Sequence, residues 1–115
     1  MTNLLAICLS ALLSVESSNG RDAKDGDNGL AVGVLQMWPC AVAEANRITG
    51  NRNRWTTADR RDQVKAKAMC LATLAWHYRR GVRDPVELAC RWNRPDGKAA
   101  VEYRNKVKRA MKGKG

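Results

Sequence analysis

Hydrophobic and polar positions along the chain recur with a mostly helical spacing, and the breaks between them fall at glycine, proline and asparagine. Apolar residues three and four positions apart indicate helices with one buried face. Residues 4–13 form an apolar run that suits a buried helix and is too short to span a membrane. The pattern predicts five helices, at about 3–18, 39–48, 57–80, 85–92 and 99–111.

Local signals support several of these boundaries. Pro39 suits the first turn of the second helix, which is expected to stop at Gly50. Thr56 and Asp59 have the spacing of a capping box, so they are expected to start the third helix. The apolar stripe of that helix is expected to face the core and consists of Val64, Ala68, Leu71, Ala72, Ala75 and Trp76.

The segments between the predicted helices are polar or irregular. Residues 19–29 are rich in Gly, Asp and Asn and indicate a loop. Residues 30–35 combine β-branched residues with glycines and predict a short, irregular strand. Residues 51–55 form a basic loop, and residues 112–115 are expected to be a frayed basic tail.

Glu16 falls in the last turn of the first predicted helix, just before the break at Asn19 and Gly20. A helix C-terminus favours cations, so the helix dipole gives no reason for a carboxylate there. Burial at the end of an apolar helix favours the protonated form of a carboxyl group, and a protonated carboxyl can act as a general acid. Glu16 is therefore a candidate general acid. The alternative is a solvated glutamate at a helix end, the usual environment of this residue type.

Two segments together resemble the signature of the soluble lytic transglycosylases, a family of the lysozyme-like superfamily. The family has a Glu-Ser pair at a helix end, here Glu16 and Ser17, followed by a segment that reads Gly-Val-Leu-Gln-Met-Trp-Pro at 33–39. Later family elements resemble Ala-Cys-Arg-Trp-Asn at 89–93 and Tyr-Arg-Asn-Lys-Val at 103–107. The resemblance extends from about residue 4 to about residue 110. It departs from the family at Arg-Trp-Asn-Arg-Pro, which replaces a small, glycine-rich turn.

The resemblance implies a fold of the α+β class that is predominantly α. Residues 1–115 would form a single lysozyme-like helical domain with a small irregular β-hairpin beside a cleft. It also implies cleavage of the β-1,4 bond between MurNAc and GlcNAc in peptidoglycan by one glutamate, Glu16. In the family this residue protonates the glycosidic oxygen and then deprotonates the 6-hydroxyl of the muramic sugar, which closes an anhydro ring without water. A hydrolytic muramidase of the lysozyme or endolysin type, using the same glutamate, is the alternative.

The resemblance also implies which residues contact or orient the sugar. Gln36 is expected to hydrogen-bond an N-acetyl or hydroxyl group, and Trp38 to flank the cleft. Asn93 and Tyr103 are expected to orient the substrate or position the glutamate. The full substrate-binding set is Ser17, Gln36, Trp38, Asn93 and Tyr103. Without the family, Gln36 reads as a helix-start residue and Tyr103 as a core tyrosine.

Glycoside hydrolysis normally uses two carboxyl groups, one as acid and one as base or nucleophile. Asp25 and Asp27 are candidates for a second carboxylate, because they lie on the loop that follows Glu16. The alternative is that both aspartates only form turns, a common use of this residue type.

The chain carries 21 Lys and Arg against 11 Asp and Glu, a formal net charge of +10. So positive a field indicates a polyanionic partner, either nucleic acid or an acidic bacterial cell wall. The resemblance favours peptidoglycan glycan strands, with no specific nucleic acid, no membrane span and a monomeric protein. A small basic helical module that binds nucleic acid is the alternative from another class, and an inactive lysozyme-like scaffold is a third.

The first helix also resembles the apolar core of a signal peptide. No Lys or Arg precedes it, and cleavage after it would remove the helix that supports Glu16, so a signal peptide is not expected. The expected site of action is the cell wall, in the periplasm or outside the cell. A phage-encoded protein, cytoplasmic until lysis or carried in the virion, would reach it without a signal.

Four widely spaced cysteines, Cys8, Cys40, Cys70 and Cys90, are expected to be buried free thiols. No Cys-x-x-Cys motif occurs, so a zinc or thioredoxin-like site is not expected. No metal or other cofactor is predicted. His77, the only histidine, is expected to have a structural role or to be exposed.

Overall fold

A computed structural model of the chain describes residues 2–17, 29, 31–92 and 97–114. Within these ranges the chain forms five α-helices and one short 3₁₀ helix. In chain order they are α1 (Thr2–Ser17), α2 (Pro39–Thr49), the 3₁₀ helix (Thr57–Arg61), α3 (Gln63–Arg79), α4 (Pro85–Cys90) and α5 (Gly97–Lys114).

Local capping explains where α2 and α4 begin and end. Pro39 occupies the first turn of α2, and Gly50 ends that helix in the left-handed conformation at φ 77°. The Asp84 side chain accepts a hydrogen bond from the Glu87 amide at 2.9 Å, and Pro85 begins α4. These boundaries confirm the sequence prediction to within a residue, except that α4 ends at Cys90 instead of Trp92.

The predicted third helix is divided into two elements. The capping box is present, since the Thr56 amide donates to Asp59 at 2.8 Å, but it closes only the 3₁₀ helix. Asp62 then caps α3, because its side chain accepts from the Lys65 amide at 3.1 Å. Two capping residues six positions apart thus start two helices, where the sequence indicated one.

The prediction of an α+β fold with a small β-hairpin is wrong, because the described residues contain no strand and no sheet. The chain there makes an isolated antiparallel bridge, in which the amides and carbonyls of Val32 and Met37 exchange hydrogen bonds of 3.1 and 2.9 Å. Residues 33–36 form the tight turn between the two residues, and α2 already begins at Pro39, so the chain after Met37 cannot extend the pair into a ladder. The fold is mostly α.

The five helices share one buried core. Helix α1 packs against α3, α4 and α5, and α2 packs against α3 and the 3₁₀ helix. The side chains of this core are Cys8, Leu12, Val34, Leu35, Met37, Val42, Ala45, Ala66, Met69, Cys70, Leu74, Leu88, Ala89 and Val107.

The buried face of α3 differs from the predicted stripe. The face buried in the structure consists of Ala66, Met69, Cys70, Thr73 and Leu74. Val64, placed in the core by the sequence pattern, is 78% exposed, and Ala68 is also exposed. Apolar side chains of α3 lie around most of its circumference, so two different stripes have helical spacing. Only the packing of neighbouring helices decides which of the two stripes is buried.

Two further expectations need correction. Helix α5 continues through Lys114, so the expected frayed tail is helical up to that residue. Cys40 is exposed, whereas Cys8 and Cys70 are buried and Cys90 is half-buried. Among the described ranges, none of the helices combines the length and the hydrophobicity needed to cross a membrane.

Candidate functional site

A cleft with a volume of about 490 Å³ opens beside the C-terminal end of α1. The turn at residues 33–37, the first half of α2, the second half of α3 and the end of α4 form its walls. The residues that line it are Glu16, Leu35, Gln36, Met37, Trp38, Cys40, Ala41, Glu44, Thr73, His77, Arg91 and Trp92. The cleft therefore contains three of the predicted site residues, Glu16, Gln36 and Trp38.

Glu16 lies on α1 and lines the cleft, and its carboxyl group contacts a residue of α5. The Tyr103 hydroxyl donates a hydrogen bond of 2.8 Å to Glu16 Oε2. Burial raises the pKa of the Tyr103 phenol well above its usual value, and the neighbouring Glu16 carboxylate raises it further. Tyr103 therefore remains protonated and acts as a fixed donor to the carboxyl group.

Gln36 occupies the tight turn that forms one wall of the cleft. Its backbone is left-handed at φ 48°, and its side-chain amide donates to the Gly33 carbonyl at 2.9 Å. Gly33 has φ 83°, and a Cβ atom there would lie 2.0 Å from the Arg60 carbonyl oxygen. Only glycine fits this close approach of two backbones. Arg60 also donates to the Met37 carbonyl at 3.0 Å and so anchors the turn to the 3₁₀ helix.

Trp38 lies at the mouth of the cleft and is 42% exposed. It precedes Pro39, which favours the extended backbone seen here at φ −81° and ψ 158°. That conformation makes Trp38 the N-cap residue of α2. An exposed indole face at a cleft mouth is a surface on which a sugar ring can stack.

Ser17 does not line the cleft. It is 2% exposed, and its hydroxyl donates back to the Leu13 carbonyl at 3.3 Å within α1. Ser17 is therefore part of the packing of α1, and its position does not support direct contact with a sugar. The remaining predicted residues, Asn93, Asp25 and Asp27, lie outside the described residues.

Glu44 is a second carboxylate on the wall of the cleft, and sequence reasoning missed it. It lies on α2, where the Arg47 guanidinium donates to Glu44 Oε2 at 3.1 Å. This hydrogen bond holds the pKa of Glu44 below its usual range, and the nearby His77 lowers it further. Glu44 is therefore ionised at neutral pH. Helical spacing was the available signal, because Cys40, Ala41 and Glu44 share one face of α2.

Other cleft residues were also missed or given a different role. His77 and Thr73 are four residues apart on α3, so both reach the same wall. Arg91 and Trp92 follow α4 and also line the cleft. The Arg91 Nε atom is buried and has no hydrogen-bond partner among the described atoms. Trp92 belongs to the segment that carried the family resemblance, yet the resemblance drew attention to Asn93 instead.

No group of His, Cys, Asp and Glu within the described ranges has the arrangement of a metal site. The described cleft residues offer a carboxyl group held by a phenol, a second carboxylate beside an arginine, and amide and indole groups for binding. Comparisons of the chain with family models, curated proteins and solved structures find no match.

Proposed function

We propose that this protein cleaves the β-1,4 bond between MurNAc and GlcNAc in peptidoglycan, with Glu16 as acid and then base. The observation that carries the proposal is the 2.8 Å hydrogen bond from Tyr103 to Glu16 at a cleft that also contains Gln36 and Trp38. Ordering a partly buried phenol against one carboxyl group has a cost in free energy, because two polar groups lose contact with water. A solvated glutamate at a helix end would need no such partner.

The first chemical step is proton transfer. The Glu16 carboxyl donates its proton to the glycosidic oxygen, and the bond to the muramic anomeric carbon breaks. The carboxylate that remains is stabilised by the Tyr103 hydroxyl, which donates to Oε2. Tyr103 is thus a positioning residue, since it acts through Glu16 and is not among the residues that line the cleft.

The second step closes the ring. The Glu16 carboxylate removes the proton from the 6-hydroxyl of the muramic sugar, and that oxygen bonds to the anomeric carbon. The product is a 1,6-anhydro sugar, and Glu16 is returned to its protonated form. The protein acts as a lytic transglycosylase in this scheme, and one carboxyl group suffices.

Hydrolysis is the second candidate, and the position of Glu44 favours it. Glu44 is ionised, lines the same cleft as Glu16 and lies on a different helix. A carboxylate about 6.5–9.5 Å from the acid can activate a water for inversion. In that case the products have full-mass reducing ends, and the protein is a muramidase.

The test compares Glu16→Gln with wild type on isolated cell walls. Glutamine keeps the shape of the side chain but has no acidic proton, so clearing of the walls should slow by about 10²–10⁴-fold. The matched control is Glu102→Gln, the same chemical change at an exposed position of α5. Circular dichroism should show both variants folded. Activity of Glu16→Gln within tenfold of wild type would reject Glu16 as the catalyst.

Mass spectrometry of the released muropeptides separates the two reactions. Ends lighter by one water and resistant to borohydride identify the anhydro product. Reducible ends of full mass identify hydrolysis.

A further inference from the structure

The C-terminal end of α2 borders a second concavity, separate from the cleft, which we term the basic hollow. Its volume is about 590 Å³. The residues that line it are Asn46, Arg47, Gly50, Asn51, Arg52 and Arg54. Three of these six residues are arginines and none is acidic. Arg47 pairs with Glu44, so Arg52 and Arg54 supply the positive local field.

The loop that forms the hollow is held by a buried polar residue. Asn46 is 6% exposed, and its side-chain amide donates to the carbonyls of Arg52 and Trp55 at 2.9 Å each. Its side-chain oxygen accepts from the Trp55 amide at 3.0 Å. One asparagine thereby fixes both ends of the arginine-containing segment. The hollow is a built feature of the fold.

The Arg54 side chain is oriented as well. Arg54 Nε donates to the Thr49 hydroxyl at 3.1 Å, and its guanidinium lies over the Trp55 ring at 5.8 Å from the centroid. No described carboxylate forms a salt bridge with Arg52 or Arg54. Most of their guanidinium N–H donors are therefore available to a ligand.

We propose that the basic hollow binds the phosphodiester groups of an anionic polymer attached to the wall glycan. A guanidinium presents a planar set of donors that matches phosphate oxygens in bidentate fashion, so clustered arginines suit this ligand. The identity of the polymer rests on the proposed function, whereas the phosphate chemistry rests on the hollow alone.

The position of the hollow favours a wall polymer over nucleic acid. Arg47 lines the hollow and Glu44 lines the cleft, and the two residues lie one turn apart on α2. Three residues of helix rise by only about 4.5 Å. A glycan strand in the cleft would thus carry a phosphodiester substituent past Arg47, at the edge of the hollow.

The test uses sedimentation with cell walls, and the protein carries Glu16→Gln so that the walls stay intact. Walls that bear a glycerol-phosphate polymer are compared with the same walls after hydrofluoric acid has removed the phosphodiesters. The test variant is Arg52→Ala with Arg54→Ala. The control is Lys108→Ala with Arg109→Ala, which removes the same charge from exposed positions of α5. Both retain Arg47, which pairs with Glu44.

The expected result is tighter binding to phosphate-bearing walls than to stripped walls. The Arg52 and Arg54 variant should lose at least about tenfold in affinity for the former, since each lost hydrogen bond to a charged group contributes about that factor. The control should change by less than threefold, and binding to stripped walls should change little in either variant. Soluble glycerol-phosphate polymer should compete with wall binding by the Glu16→Gln protein, which tests the hollow without any substitution in its lining.

Equal affinity for the two kinds of wall would overturn the proposal, as would an equal loss in the control. Loss of binding to a DNA oligonucleotide without loss of binding to walls would overturn it in favour of nucleic acid. None of these measurements requires cleavage. If the wild-type protein does not cleave walls while the Glu16→Gln protein still prefers phosphate-bearing walls, the proposed reaction is rejected and the hollow is retained.

Discussion

Gly33→Ala tests whether the turn that carries Gln36 depends on the close approach of two backbones. At φ 83° an alanine is strained by about 1–2 kcal/mol, because its Cβ approaches the carbonyl that follows. The new methyl group would also lie 2.0 Å from the Arg60 carbonyl oxygen, so the turn and the 3₁₀ helix must separate. Overpacking of this kind costs about 1–3 kcal/mol. The expected loss in the free energy of unfolding is therefore about 2–5 kcal/mol.

Gly50→Ala is the matched control. Gly50 has a similar backbone, at φ 77°, but a Cβ atom there would have no neighbour within 4 Å. The control should lose only the free energy of unfolding that corresponds to the strained backbone, about 1–2 kcal/mol. The difference between the two variants isolates the contact with Arg60 and should be about 1–3 kcal/mol.

Urea unfolding followed by circular dichroism measures both variants, and a thermal melt should separate their midpoints by about 4 °C per kcal/mol. Wall cleavage should fall further in Gly33→Ala than in Gly50→Ala, because only the first moves the wall of the cleft. Equal losses of stability in the two variants would refute the argument, since the contact with Arg60 would then contribute nothing.

Three other predictions concern the site and the core. Tyr103→Phe removes the hydroxyl that donates to Glu16 at 2.8 Å, and it should slow wall cleavage by tenfold or more while the fold is retained. An unchanged rate would show that this hydrogen bond has no role in catalysis. Glu44→Gln should leave the formation of anhydro ends within a few fold of wild type and abolish any full-mass reducing ends, as read by mass spectrometry. Burial raises the pKa of Cys8 from 9.0 to about 11, so its contribution to stability is complete below pH 9 and is lost as the pH rises towards 11. Urea titrations at pH 8 and pH 10.5 should show this fall, and Cys8→Ala should reduce it.

The helices were largely predictable because their signals are local. A proline in the first turn, a capping aspartate and a left-handed glycine each act within a few residues of the helix end that they define. Asp84 and Gly50 accordingly fix the boundaries of α4 and α2 in the sequence and in the structure. The divided third helix shows the limit of this reasoning, since Asp62 was a second cap that the sequence pattern did not distinguish from a helix interior.

The candidate site was predictable only in part. Gln36 and Trp38 lie two positions apart in the chain and both line the cleft, so a short sequence motif could identify them. Glu44 escaped attention because an ionised glutamate on an amphipathic helix has the appearance of a solvated residue. Its role depends on which face of α2 borders the cleft, and the packing of α2 against α3 decides that.

By itself the sequence determined the helical character of this protein, its positive charge and the choice of Glu16 as the candidate acid. Capping, periodicity and composition are properties of short segments, so they need no knowledge of the fold. Only the tertiary structure decided that Tyr103, 87 positions away, donates to Glu16. It also decided which stripe of α3 is buried. These features depend on contacts between helices distant in the chain, and their energy arises only when the helices pack together.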